Sequence, residues 1–462
     1  MSFVSRPMNL AGRLWNAMTL VERVGLVVLV VLFALGGLLT LAVFLLLAPT
    51  MDFLAANMPL VRFVVAVLGI LLLTVPTAFV VIYMELKVIA RMNLRIGPNR
   101  IGPGGAVMSV TTGLKVLMKE DFTPTGADVP VYTLAPAVVY LASVMTFLVI
   151  PFAPGLFAQD MNLGLLYVFA VGGLGVVGLM MAGWSSFNKY SLLGALRAAA
   201  QIISYEIPLT LSVVGVIMLA GTLSLNRIVE QQGGSFLDWY VFRQPLAALI
   251  FFVAAIAEGN RTPFDLTEAD SEIVAGFATE YSGMRFGFFF FAEYVNVFLL
   301  SALTVTIFLG GWNAPLDLRP LWDALGLQPG PLDLASLGNA LPFVLLLAPL
   351  VGTVLLALPF WMLIGRLRFW QALIAGFLAF NALVVGGALL WAAFSFEAVM
   401  GLFWFMAKTY VFVVIFVFLR GTLPRLRVDQ LMGFAWKWLL PAALLNLFVT
   451  ALAVLVVQQV QA

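Results

Sequence analysis

The sequence predicts an all-α protein, a polytopic bundle of transmembrane helices. Three observations carry that prediction. Of the 462 residues, 63% are hydrophobic and only 10% are charged, whereas a soluble domain is nearer a quarter charged. The apolar residues gather in runs of roughly 20, the length that crosses about 30 Å of hydrocarbon as a helix. The loops between runs also sort their positive charge by side. So little polar surface cannot cover a water-soluble particle of this size.

The runs give about 11 spans, at 24–48, 62–84, 131–152, 163–183, 203–220, 241–257, 284–309, 341–364, 370–394, 402–420 and 438–458. The first is too long for the apolar part of a secretion signal and lacks a clear small-residue cleavage site, so it reads as a retained helix. The sixth is the weakest, with Arg243 and Pro245 near its start. With the N-terminus in the cytoplasm, only Arg62, Arg227, Arg243 and Arg319 of the 24 Lys and Arg residues fall outside, and Lys408 falls within a span. Positive charge stays on the cytoplasmic side, which predicts an N-in/C-out chain.

Composition removes several chemistries. The chain has no Cys and no His. Cysteine-ligated iron–sulfur clusters and zinc are excluded, and the usual ligand of haem and metals is missing. Proton chemistry must run on carboxylates, Lys, Tyr and water. No Gly-rich phosphate loop with a following Lys occurs, so nucleotide binding is not expected. A net charge of +2 says nothing about nucleic acid.

The first inside loop is more than a connector. Lys87, Arg91 and Arg95 are spaced four apart, with Leu86, Ile89, Met92 and Ile96 beside them. That is an amphipathic helix suited to the membrane surface, broken by Gly97 and Pro98. A second amphipathic stretch follows, with Val107, Val110, Leu114 and Leu117 against Lys115 and Lys119. Both suit either anionic headgroups or a peripheral partner.

Chemistry concentrates in two further segments. Glu206 sits at the mouth of a span or inside it, where a carboxylate costs roughly 2.5–3.5 kcal/mol on insertion scales. It needs a partner, with Lys189 or Arg197 available, or a role in proton relay. Residues 258–285 then place Glu258, Asp265, Glu268, Asp270, Glu272 and Glu280 close together, with Arg261 the only base before Arg285. Apolar residues such as Phe264 alternate with these acids, so the segment is not a solvated charge run. Mutual repulsion favours proton uptake by some of the loop acids. The EF-hand spacing is absent. Glu293 and Lys408 are two more charges within spans, scaffolding or functional.

These segments resemble a known family. Residues 85–102 (ELKVIARMNLRIGPNRIG), 119–121 (KED), 183–208 (GWSSFNKYSLLGALRAAAQIISYEIP), 260–283 (NRTPFDLTEADSEIVAGFATEYSG), 289–294, 309–312 (LGGW) and 419–431 (LRGTLPRLRVDQL) occur in the order seen in the NuoH-type, quinone-site membrane subunit of respiratory complex I. The resemblance covers roughly 62–312 and 402–458. It implies a subunit of a proton-translocating NADH:quinone oxidoreductase. The chain would form the membrane side of the quinone tunnel and begin the carboxylate path that couples electron transfer to proton translocation. Glu206, Asp265, Glu268, Asp270, Glu272 and Glu280 would relay protons. Glu85, Arg95, Arg261, Phe264, Tyr281 and Arg285 would line the tunnel. Lys189, Arg197, Glu293 and Lys408 would be the intramembrane charges.

The implied substrate is a quinone, bound at the interface with neighbouring subunits. No flavin, iron–sulfur cluster, haem or metal is expected in this chain. Implied partners are the quinone-site and iron–sulfur subunits of the hydrophilic arm, small membrane subunits, antiporter-like subunits and membrane lipid, with no nucleic acid. The implied location is a bacterial inner membrane. Leu86 and Phe187 depart from the residues usual in the family, at positions beside the tunnel mouth. The chain is also long for the family. Residues 1–61 read as an extra N-terminal helix, 62–312 as the family core, 313–400 as an inserted helical pair and 401–462 as the C-terminal core helices. The alternatives are the equivalent subunit of a membrane-bound hydrogenase or other-donor complex, and a free-standing proton-coupled transporter.

Overall fold

The computed structural model describes residues 58–101, 103–233, 236–265, 275–315 and 397–461. Apart from the first turn of the first helix, they belong to one compact unit, Arg62–Gln328 with Glu397–Ala462. The principal helices are α1 (Met58–Met92), α2 (Met108–Leu117), α3 (Val129–Met145), α4 (Gly164–Ser185), α5 (Lys189–Ala220), α6 (Pro245–Glu258), α7 (Gly283–Phe308), α8 (Glu397–Thr422), α9 (Val428–Phe434) and α10 (Leu440–Gln461). No β-strand forms among the described residues. Helices are what lipid demands, because each backbone N–H and C=O must be satisfied within the segment.

Among the described residues, six helical segments are long and apolar enough to cross a membrane: Val129–Leu148, Gly164–Ser185, Lys189–Ala220, Gly283–Phe308, Met400–Thr422 and Val428–Gln459. The expected spans at 24–48, 341–364 and 370–394 lie outside the described residues. Two boundaries differ from those expected. The span at 62–84 and the first amphipathic helix are one continuous helix, α1. No Gly or Pro falls between residues 85 and 96 to part them, and α1 ends at Met92, where the chain turns through Leu94 at φ 54° and the Arg95 N–H closes on the Ala90 carbonyl at 2.9 Å. Arg95 and Ile96 lie past its end and are exposed. Likewise α5 begins fourteen residues before the expected span at 203. Asn188 caps it, accepting from the Tyr190 N–H at 2.9 Å, and Gly221 closes it with φ 64°, the left-handed geometry that glycine takes without strain.

α7 is the hub, with 72% of its membrane-crossing stretch buried. It packs on α3 and α8. α5 packs on α4, α6 and α10. α4 approaches α3 closely at Gly178, where a Cβ would come within 2.5 Å of the Val139 side chain and 3.1 Å of its backbone nitrogen. The segment of α9 and α10 is peripheral; only 17% of its membrane-crossing stretch is buried, and Leu445, Phe448, Leu452 and Val456 are exposed. The amphipathic α2 likewise exposes Val110, Leu114 and Leu117.

The weak sixth span is short. α6 has 14 residues and starts at Pro245, where a missing N–H costs nothing. Non-helical chain follows, and Arg261, Thr262, Phe264 and Asp265 within it are buried. Irregular backbone among apolar helices is tolerated where it is covered by protein or lines a cavity. Both conditions are met here.

Candidate functional site

A cavity of about 500 Å³ opens beside this loop. Glu206 of α5, Glu258 of α6 and Glu293 of α7 line it, with Asn260, Arg420 and Arg425. Much of the remaining wall is apolar, including Phe286, Phe289 and Phe290. Three carboxylates from three different helices therefore meet one space. The Glu258 Oε2 atom is buried and has no hydrogen-bond partner among the described residues.

A row of alternating charges runs along one side. The Arg420 guanidinium pairs with Glu85 at 2.5 Å. The other Glu85 oxygen lies 3.5 Å from Arg261. Arg261 lies 3.3 Å from Glu293 and stacks over the Tyr294 ring at 4.3 Å. Arg261 is 4% exposed and Glu85 9%. Such depth is tolerable because each charge has an opposite neighbour; a lone buried charge costs several kcal/mol. Asp265 is also buried, and its carboxylate is held by Arg425 at 2.9 Å.

Several candidate residues lie elsewhere. Glu280 faces a second cavity of about 320 Å³, lined also by Ser186, Phe187 and Lys189, and accepts a hydrogen bond from the Asn188 amide at 2.5 Å. Tyr281 and Arg285 build a clasp. The Tyr281 hydroxyl donates to the Tyr132 carbonyl at 3.1 Å. The two rings stack with centroids 4.2 Å apart. Arg285 lies over the Tyr132 ring at 5.2 Å and pairs with Asp121 at 3.2 Å. Burial pushes the Tyr281 phenol up to about 12, so it stays a neutral donor. Phe264 is packed between Tyr205 and Phe434.

Lys189 opens α5 and is exposed. It lies about 25 Å along the helix from Glu206, taking about 1.5 Å per residue, so it does not pair with it. Arg197 is half-buried on the same helix. The Lys408 ammonium donates to the carbonyls of Leu309 and Asn313 at 2.7 and 2.9 Å and sits 4.7 Å over the Trp239 ring. Glu268, Asp270 and Glu272 lie outside the described residues. Sequence patterns alone assign no site role to Arg420 or Arg425. Glu258 is visible there only as the first of the clustered acids. The two arginines stand at the end of a span, where a basic residue ordinarily reads as a topology signal.

The NADH dehydrogenase family pattern matches residues 63–392 and 373–451. The H subunit of an NADH-quinone oxidoreductase from Dehalococcoides mccartyi strain CBDB1 is 39% identical over 397 residues, covering 86% of this chain and 87% of that protein. An NADH-quinone oxidoreductase H subunit of Solibacter usitatus is 40% identical over 80% of this chain and 91% of its own length. The corresponding H subunit of a Geobacillus strain is 40% identical over 83% of this chain and 92% of its own. With motifs, helices and matches agreeing over most of its length, the chain belongs to the NADH dehydrogenase family.

Proposed function

We propose that this chain is the quinone-site membrane subunit of a proton-translocating NADH:quinone oxidoreductase, and that Glu206, Glu258 and Glu293 carry protons through its interior. One observation carries the relay: three glutamates on three helices face one cavity. Carboxylates that share a space trade protonation, since charging one disfavours charging the next. The row Arg420–Glu85–Arg261–Glu293 ties that cavity to the buried loop, so a charge change on the loop is felt at Glu293 through contiguous ion pairs. The substrate is a quinone, taken at the face that a hydrophilic partner covers. The electron carriers sit on partner subunits, and this chain supplies shape, field and proton path.

In this reading the chain lies in a bacterial inner membrane, N-terminus inside and C-terminus outside. The family core is 62–312 with 401–462, and residues 1–61 and 313–400 are additions to it. Asp265, Glu268, Asp270 and Glu272 continue the path on the loop, and Glu280 marks its cytoplasmic side. The exposed apolar residues of α2 and of the Leu94–Ile96 segment meet a partner or headgroups there.

The test is made in the intact enzyme. Glu206→Gln and Glu258→Gln should lower coupled quinone reductase activity at least about a hundredfold, the low end of what one positioned proton carrier contributes, with subunit composition unchanged. Wild-type proton pumping in both variants would remove the relay.

A further inference from the structure

Gln201 is fully buried in α5. Its amide nitrogen has three acceptors around it: the Ala257 carbonyl at 2.7 Å, the Phe264 carbonyl at 2.7 Å and Asn260 Oδ1 at 3.2 Å. The orientation of the amide is forced, because carbonyl oxygens cannot donate and the group facing them must be the NH₂. An amide has two hydrogens, and the two short bonds take both. Those bonds land on residues that immediately precede two acids. Ala257 precedes Glu258, and Phe264 precedes Asp265. Glu206 stands five residues further along the same helix as Gln201. Asn260, the third acceptor, has φ 49° and lines the carboxylate cavity. The Gln201 Oε1 atom is buried with no hydrogen-bond partner among the described residues.

We propose that Gln201 is the positioning residue of the proton path. One amide pins the buried loop at two points, Ala257 and Phe264, to the helix that carries Glu206, and so fixes Glu258 and Asp265 relative to Glu206. The inference rests on the carboxylate reading above and adds a residue that touches no substrate. Proton transfer needs heavy atoms within about 2.6–3.2 Å, directly or through one water. A loop free to shift by an ångström therefore loses the path while keeping the fold, a displacement that can cost about a hundredfold in rate. The buried Oε1 keeps one more acceptor on the same amide.

The experiment uses the assembled enzyme carrying Gln201→Met, which keeps length and bulk and removes both donors. Quinone reductase kcat and KM, protons moved per electron pair, and deuterium exchange of the amides of residues 257–265 are measured beside wild type. The expected result is kcat down by about a hundredfold with KM unchanged, and faster exchange confined to that loop. Wild-type kcat with wild-type loop exchange overturns the proposal; so does a change in KM alone. If the methionine variant does not assemble, Gln201→Asn carries the test with the same outcomes, since it keeps the amide but falls one carbon short. Glu206→Gln is run in parallel. Full coupled activity in that variant sinks the carboxylate reading itself, whereas an impaired Glu206→Gln beside a normal Gln201 variant sinks only the positioning role.

Discussion

Arg261 touches two carboxylates and a ring from a place where water barely reaches. Removing it leaves Glu85 and Glu293 short of a cation, and breaking a buried pair in this way costs about 3–5 kcal/mol. Arg261→Met should therefore lower the thermal midpoint of the purified enzyme, and Arg261→Lys should not restore it, because one ammonium cannot span both acids and the Tyr294 face. A midpoint unchanged in Arg261→Met would mean that Arg420 suffices for both acids. Tyr281→Phe should be milder. It removes one hydrogen bond, worth about 0.5–1.5 kcal/mol, and keeps the stacked pair. Single residues are only partly legible in the sequence. The acids of the 258–280 segment announce themselves by density, and Glu206 and Glu293 by their apolar surroundings. Arg420 and Arg425 do not, because pairing across distant segments leaves no local pattern. Gln201 gives no signal either; a buried amide in a helix looks the same whether it is packing or a pin.

At the scale of the element, helix existence follows from hydropathy and helix ends do not. α1 and α5 run well beyond their apolar stretches because nothing in their polar extensions breaks a helix. Lys408 belongs to this scale as well. It satisfies two carbonyls just beyond the C-terminal end of α7, where a positive charge also complements the helix dipole. Lys408→Met should lower stability by about 1–3 kcal/mol, the cost of stranding buried acceptors, while the number of protons moved per electron pair stays at the wild-type value. A changed ratio would instead place Lys408 among the proton carriers. Close helix approach makes a second prediction. Gly178→Leu should separate α4 from α3 and prevent assembly, visible as loss of the enzyme band on native electrophoresis, whereas Gly172→Leu, with open space around its Cβ position, should assemble.

The whole molecule offers a direct test of orientation. The chain contains no cysteine, so single cysteines can be introduced without background. Cysteine at Arg95 should react with a membrane-impermeant maleimide only when the reagent reaches the cytoplasmic side, and cysteine at Asn226 only from the other side; the reverse would invert the proposed topology. The family is legible in the sequence because its motifs are long and ordered, while the cavity is not, because it exists only where three helices converge. The shortness of α6 has a consequence of another kind. Its 14 residues advance about 21 Å, less than the roughly 30 Å of an insulating bilayer core. The remaining thickness is made up by the buried loop and by the cavity that Glu258 lines, so Glu258 stands within the layer across which the voltage falls. A proton moving to or from it does work against the membrane potential, up to about 2.3 kcal/mol per 100 mV for a full crossing, and its occupancy should respond to the voltage that the enzyme itself generates.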